Sequence, residues 1–513
     1  MKRFLILCAL NFALFISNPL QARIIHVPGD SSTIQGGING AVDGDTVLVA
    51  RGHYYERINF AGTAILVASN FIFDNDTTTI DSTVIDGENS GTVVVFPGYA
   101  PSASILQGFT ITNGYSMESR RTYGWSGKSI ITTNIMTGSY ADYGDGEIHC
   151  EDSPPVITSN IITGNDGDGI YCEGYVPKIT NNTTSGNFTA PGGGIYCWSA
   201  APTIKHNIVT NNSGSGIRCQ ISSPTINSNN VIDNGGIGIR CEEFSSPTIN
   251  DNAITGNSGG GIFCFLLSSP VIRNNVIAGN SAVYIGGICC FDYCSPVISN
   301  NTISGNFAQE YSGGGILCSN NSSPTICNNT ITGNHAGDYG GGVCVTLFSS
   351  PTISGNTISG NFAGLTGGGI YCDFGSPIIM NNTISDNSAE QGGGIWCFDS
   401  SPIISNNIIS NSVCGGGIAC GDFTYPKIRH NDVWNNADGN FYGCPAGIGD
   451  TSWGANFNGT PCDSFYNIIR DPLFADTTDF KLLCNSPCID AGDSSIYVPP
   501  DSGGCRIDMG AHE

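Results

Sequence analysis

Hydrophobic and polar positions along this chain follow a long repeat rather than the period of a single helix or strand. Between Cys150 and Asn436 one pattern returns twelve times. Its clearest copy is Ser350-Pro351-Thr352-Ile353-Ser354-Gly355-Asn356-Thr357-Ile358-Ser359-Gly360-Asn361, followed by Gly367-Gly368-Gly369-Ile370-Tyr371-Cys372. Every copy carries Ile two residues after its Pro, from Ile157 to Ile428, and Asn five residues after it, from Asn160 to Asn431. The Gly-rich return carries Ile or Val, one variable residue, then Cys. Val345 replaces that Cys in one copy. The spacing of 22 to 28 residues is that of a stacked repeat.

Each copy contains three short apolar runs separated by turn residues: Gly-Ile-x-Cys, Pro-x-Ile and Asn-x-Ile. They are too short for helices and too frequent for hairpins, so the pattern predicts three strands per coil. Strands at equivalent places in successive coils stack as parallel sheets, about 4.8 Å apart. Aligned Ile and Cys then fill a continuous core. The aligned Asn is expected at a bend, with its amide bonding to the coils above and below and its backbone left-handed. These ladders account for the architecture and leave the function open.

On the motif Ser-Pro-x-Ile-x-x-Asn-x-Ile-x-Gly-Asn the chain resembles the right-handed parallel β-helix repeat family of the pectate-lyase-like superfamily. The resemblance implies an all-β, single-stranded right-handed parallel β-helix with a capping helix at its N-terminus and an irregular capping module at its C-terminus. Members of the family include polysaccharide lyases and hydrolases, adhesins and proteins of other roles, so the fold alone does not fix an activity.

Residues 1–22 read as a secretory signal: Lys2 and Arg3 precede an apolar run, with a cleavage site near Ala22. The run is too short to span a membrane well. The product is expected to be secreted, or held at the cell surface or in the periplasm, without membrane insertion. Residues 23–62 are read as the N-terminal cap and first coil. Thr33 to Val42 form a short amphipathic helix over the open end, where strands would otherwise stand unpaired. Residues 63–149 are irregular coils. Tyr115 to Gly127 interrupts them as a loop insertion, with Arg120, Arg121, Tyr123 and Trp125. Residues 150–436 are the regular repeats. Residues 437–513 form a tail that resembles the C-terminal module preceding surface anchors in secreted β-helix proteins, and it is expected to close the far end of the coil.

The net charge of −24 argues against nucleic acid and anionic lipid as partners. It also disfavours an anionic polysaccharide unless calcium bridges it, which makes calcium the one candidate cofactor. Of 22 Cys, eleven belong to the ladder. Parallel Cβ atoms about 4.8 Å apart exceed the roughly 3.8 Å usual in a disulfide, so the ladder reads as buried thiols. The tail cysteines are better placed to bridge. Cys289 and Cys344 fall at the outward position between Ile and the ladder Cys, where a thiol is expected to be exposed to oxidation.

Alternate strand residues face outward, so the positions before and after each ladder Cys line one outer face. The first row includes His149, Tyr171, Tyr196, Arg218, Arg240, Phe263, Tyr371 and Trp396. The second includes Glu151, Glu173, Trp198, Gln220, Glu242 and Phe398. Aromatic rings with flanking polar groups suit a glycan, although stacked aromatics also stabilise a flat sheet. Tyr171, Tyr196, Trp198, Arg218, Arg240, Phe263, Tyr371 and Trp396 are the candidate carbohydrate contacts. Glu151, Glu173, Arg218 and Arg240 are the candidate catalytic residues, because adjacent coils bring the two carboxylates to about the spacing of retaining glycosidases. Set against the resembling enzymes, the chain lacks both the clustered Asp residues of calcium-dependent pectate cleavage and the Asn-Thr-Asp, Asp-Asp and Arg-x-Lys groups of polygalacturonases. The sequence therefore points first to a non-catalytic protein binding a polysaccharide or surface glycan. A lyase or hydrolase and a structural spacer are the alternatives.

Overall fold

The computed structural model describes residues 22–96, 104–116, 122–124, 129–141, 146–151, 154–189, 192–310, 313–476, 480–493, 495 and 507–511. All of the expected signal segment, 1–22, except Ala22 lies outside them. Three parallel sheets of 17, 16 and 16 strands run the length of a solenoid. Each regular coil gives one strand to each sheet, as Thr352–Ser354, Thr357–Ser359 and Ile370–Asp373 do. Like residues sit on like: Ile353 faces Ile379, Ile358 faces Ile384 and Cys372 faces Cys397. A slip of one residue would turn every Ile outward, so the pattern itself fixes the register.

The Ile and Cys ladders are almost completely buried in one continuous core. Each buried Ile contributes roughly 1.5–3 kcal/mol by leaving water. A third ladder of Ile and Val runs through the second sheet, broken by Thr184, whose buried hydroxyl has no hydrogen-bond partner among the described residues.

The Asn positions differ from expectation in one respect. The ladder Asn residues are buried and point inward, and the left-handed backbone belongs to the residue before each one: Asn181 (φ 57°), His206 (φ 56°) and Asp251 (φ 57°) are examples. That residue makes the bend, which frees the following amide to turn into the core. Asn207 shows what the amide does there. Its backbone N–H and Nδ2 both donate to Asn229 Oδ1, at 2.9 and 3.0 Å, and Nδ2 also donates to the Ile179 carbonyl at 2.9 Å. A second ladder, from Asn165 through Asn361 to Asn387, repeats the arrangement five residues on. Each amide satisfies buried backbone groups that the corner would otherwise leave without partners.

The first sheet begins at Ile24–Val27. A helix follows at Ile34–Asn39, shorter than the expected span. Thr33 caps it by accepting the Gly36 N–H at 3.0 Å, and Glu56 accepts the N–H groups of Ile34 and Gln35. Ile34 and Ile38 join the main core. The expected insertion is corrected in part. Residues 117–121 and 125–127 lie outside the described residues, but Thr122–Gly124 is a strand of the third sheet, paired with Val94–Phe96 and with His149 of the next coil. This segment therefore holds a coil's own strand.

The tail continues the ladder and also leaves it. Asn467 supplies the next rung by accepting from Asn431 N–H and Nδ2, both at 3.0 Å. Further on, the tail lies along the outer side of the second sheet: Gly510 N–H donates to the Asn406 carbonyl and Ala511 N–H to Thr383 Oγ1. Outward-facing Ile408 is thereby buried with Cys462, Ile468, Cys488 and Met509. Among the described tail cysteines none is bridged, contrary to expectation. The nearest approach is Cys444 Sγ to ladder Cys420 Sγ, 3.4 Å.

Candidate functional site

The predicted rows do share one face of the third sheet, and register places His149 beside Tyr171, Tyr171 beside Tyr196, and Tyr196 beside Arg218. The face divides into two unlike halves.

In the first half, coils carrying His149 to Glu242, polar groups pair with each other. Tyr171 donates its hydroxyl to Glu173 at 3.3 Å, and Tyr196 donates to Gln220 at 2.6 Å. Glu242 is nearly buried and accepts from two coils: Arg218 Nε at 2.9 Å and Arg240 Nε at 2.6 Å. The Arg218 guanidinium lies over the Tyr196 ring, 4.7 Å from its centre, and Arg240 lies 5.8 Å from the centre of Phe263. Burial raises the Tyr196 hydroxyl above its ordinary pKa, with Arg218 acting in the opposite direction. Trp198 stands out from this surface with 39% of its area exposed, between Glu173 on one neighbouring coil and Gln220 on the other.

Of the catalytic candidates, Glu151 and Glu173 are register partners on adjacent strands. The structure describes only the backbone of Glu151. Arg218 and Arg240 are both held on Glu242. Among the described residues, no group of three or more His, Cys, Asp or Glu is placed to hold a metal ion.

In the second half, coils carrying Phe263 to Trp396, the face is mostly apolar, although Ser319, Thr346 and Asp373 also fall on it. Cys289, Leu317, Cys344 and Tyr371 form a cluster of their own outside the coil. Here the expectation of exposed thiols is overturned: Cys289 is 2% exposed and Cys344 is fully buried. The cause is loop length. Ile239 comes five positions after Asn234, but Ile316 comes ten positions after Asn306. The extra chain builds a small fourth sheet, Ser281–Ala282, Phe307–Ala308, His335–Ala336 and Phe362–Ala363. From the segments that follow its strands, Ile285 and Tyr339 pack over the cluster. Burial pushes the Cys289 thiol well above its ordinary pKa, which makes it a poor nucleophile.

A groove of about 420 Å3 lies in this half, lined by Phe263, Phe265, Tyr284, Ile285, Phe291 and Leu317 among others. Its rings stack on one another, with Phe263 to Phe265 at 5.7 Å and Phe265 to Phe291 at 6.1 Å. Of the predicted sugar contacts, Phe263, Tyr371 and Trp396 belong to this half. Tyr171 and Tyr371 are each 8% exposed, so neither offers an open ring face. The wall was missed from sequence, although the lengthened stretch before each Gly-Gly return was its signal.

The sequence profile described as "Right handed beta helix region" matches residues 63–220, 178–308, 220–372 and 284–436. The chain belongs to the right-handed β-helix family. No curated protein matches it. Among solved structures, this β-helix protein is similar to a mannuronic acid specific polysaccharide lyase from the human gut microbiota, at 12% identity over 74% of this chain and 87% of that one, with a TM-score of 0.38. It is also similar to a mannuronan C-5 epimerase module from Azotobacter vinelandii, at 13% identity over 80% and 93%, with a TM-score of 0.29. A pectate lyase matches at 15% identity over 95% and 96%, with a TM-score of 0.22. At such identities the likeness carries no argument about a reaction. No helix among the described residues is long and apolar enough to cross a membrane.

Proposed function

We propose that this β-helix protein binds a glycan chain across the polar half of the stripe and does not cleave it. The observation that carries the reading is Trp198, an exposed ring with Glu173 and Gln220 one coil to either side. A sugar ring stacks its C–H face on such an indole, and flanking carboxylate and amide groups bond its hydroxyls. Tyr196, Arg218 and Arg240 extend the surface along the next coils, each already held by a partner and therefore preorganised. The pairing of both Arg residues with Glu242 favours binding over catalysis, because neither is left to act on a bond at Glu173.

A second reading rests on the register of Glu151 with Glu173. Strand spacing of about 4.8 Å lies near the roughly 5–5.5 Å carboxyl separation of retaining glycosidases, so hydrolysis or elimination in the same groove is the alternative. Purified protein incubated with neutral and acidic polysaccharides, with and without calcium, separates the two. Binding without new chain ends, lost in Trp198→Ala, supports the first reading. New chain ends that vanish in Glu173→Gln support the second.

A further inference from the structure

A cavity of about 450 Å3 lies on a different side of the solenoid from the stripe, where the tail crosses the last coils. It is lined by His430, Asn456, Phe457, Tyr466, Ala491 and Asp493, among others. One wall is the hairpin of Gly454–Ala455 and Pro461–Cys462, which presents Asn456 and Phe457. The opposite wall is Tyr466 stacked on His430, ring centres 4.9 Å apart and nearly parallel at 14°. Trp453 meets Tyr466 edge-on at 6.1 Å.

We propose that this cavity is a second ligand site that takes one pyranose ring of a neutral sugar. Its size falls within the roughly 300–1,000 Å3 of small-ligand pockets. Three features define the ligand. The first is the aromatic surface: Phe457 is 69% exposed and Tyr466 41%, open rings that suit the C–H face of a sugar. The second is Asn456. Its Oδ1 accepts the Thr460 N–H at 2.9 Å, while its Nδ2 is buried with no partner among the described residues. A buried donor left so costs about 1–3 kcal/mol, and a ligand hydroxyl oxygen would satisfy it. The third is Asp493, an acceptor for sugar hydroxyl donors. Arg429 lies 3.3 Å from its carboxylate and His430 4.0 Å. Burial acts to raise this carboxyl, but the Ser495 hydroxyl and N–H, with the His430 and Arg429 charges, outweigh that and keep it ionised.

The charges decide against the other ligand an aromatic pocket takes. A quaternary ammonium would meet Arg429 already neutralising Asp493, and it has no acceptor for Asn456 Nδ2. The site shares no residue with the stripe, so it stands or falls independently of the glycan reading there.

The test is calorimetric titration of the full chain with methyl glucoside, methyl galactoside, methyl mannoside, glucuronate and choline. Saturable binding of at least one methyl glycoside is expected, weakened about tenfold in Phe457→Ala and in Asn456→Leu. Phe457 is mostly exposed, so its truncation leaves the tail packing intact even where Asn456→Leu disturbs it. Absence of binding by every methyl glycoside, binding indifferent to Phe457→Ala, or tighter binding of choline or glucuronate would each overturn the proposal.

Discussion

The coils carrying His149 to Glu242 and those carrying Phe263 to Trp396 share one register and one buried Cys ladder, yet they present opposite surfaces. In the first half the outward groups satisfy each other by hydrogen bonds and an Arg–Glu–Arg bridge. In the second they satisfy each other by burial, under a wall that the longer coils build. The ladder residues dictate how the solenoid stands, and the length of one loop dictates what its face offers. A glycan needs hydroxyl partners, which line the first half and are few in the second.

The sharpest way to break this comparison is to remove the centre of each half. Leu317→Ala should cost about 2–4 kcal/mol in denaturant unfolding, because it opens a cavity among Cys289, Cys344 and Tyr371. Glu242→Ala should cost about 2 kcal/mol, less than the roughly 3–5 kcal/mol of a fully buried pair, because Arg240 keeps 29% of its side chain exposed. The second loss should shrink in high salt and the first should not. Equal salt response in both would contradict the division.

Asp373 sharpens the comparison next, as a carboxylate inside the apolar half. Burial and the nearby Asp399 raise its pKa, and a hydrogen bond from Tyr371 only partly offsets them. The folded state therefore holds this proton more tightly than the unfolded chain does. Its contribution to stability is present at acid pH and is lost as pH rises from about 3.9 through the raised value. Asp373→Asn should flatten that decline in a pH series of melting curves.

Two smaller effects follow from the burial pattern. Thr184→Val should stabilise the protein by about 1 kcal/mol, because it replaces a partnerless hydroxyl in the core with a methyl group. In thiol labelling of the native protein, Cys414 and Cys484 should react at once, and Cys289 and Cys344 only on unfolding.

The solenoid was legible in the sequence because its cause is local and repeated: Ile after Pro, Asn after the bend, Cys after the Gly-rich return. The stripe was legible for the same reason, as every second residue of an aligned strand. What stayed hidden depends on chain that does not repeat. Cys289 and Cys344 read as exposed because the wall above them comes from extra residues before the Gly-Gly return. The left-handed corner was placed one residue late because Asn tolerates that backbone so readily. The tail cavity joins His430, Tyr466 and Asp493 from segments with no common pattern.

The most direct measurement compares polysaccharide binding by Trp198→Ala with binding by Trp396→Ala, one substitution in each half of the face. The account predicts that the first abolishes binding by the purified protein while the second leaves it within about twofold of the unmodified chain. Equal loss in both variants, or loss in Trp396→Ala alone, would contradict the claim that the polar half is the surface that meets a glycan.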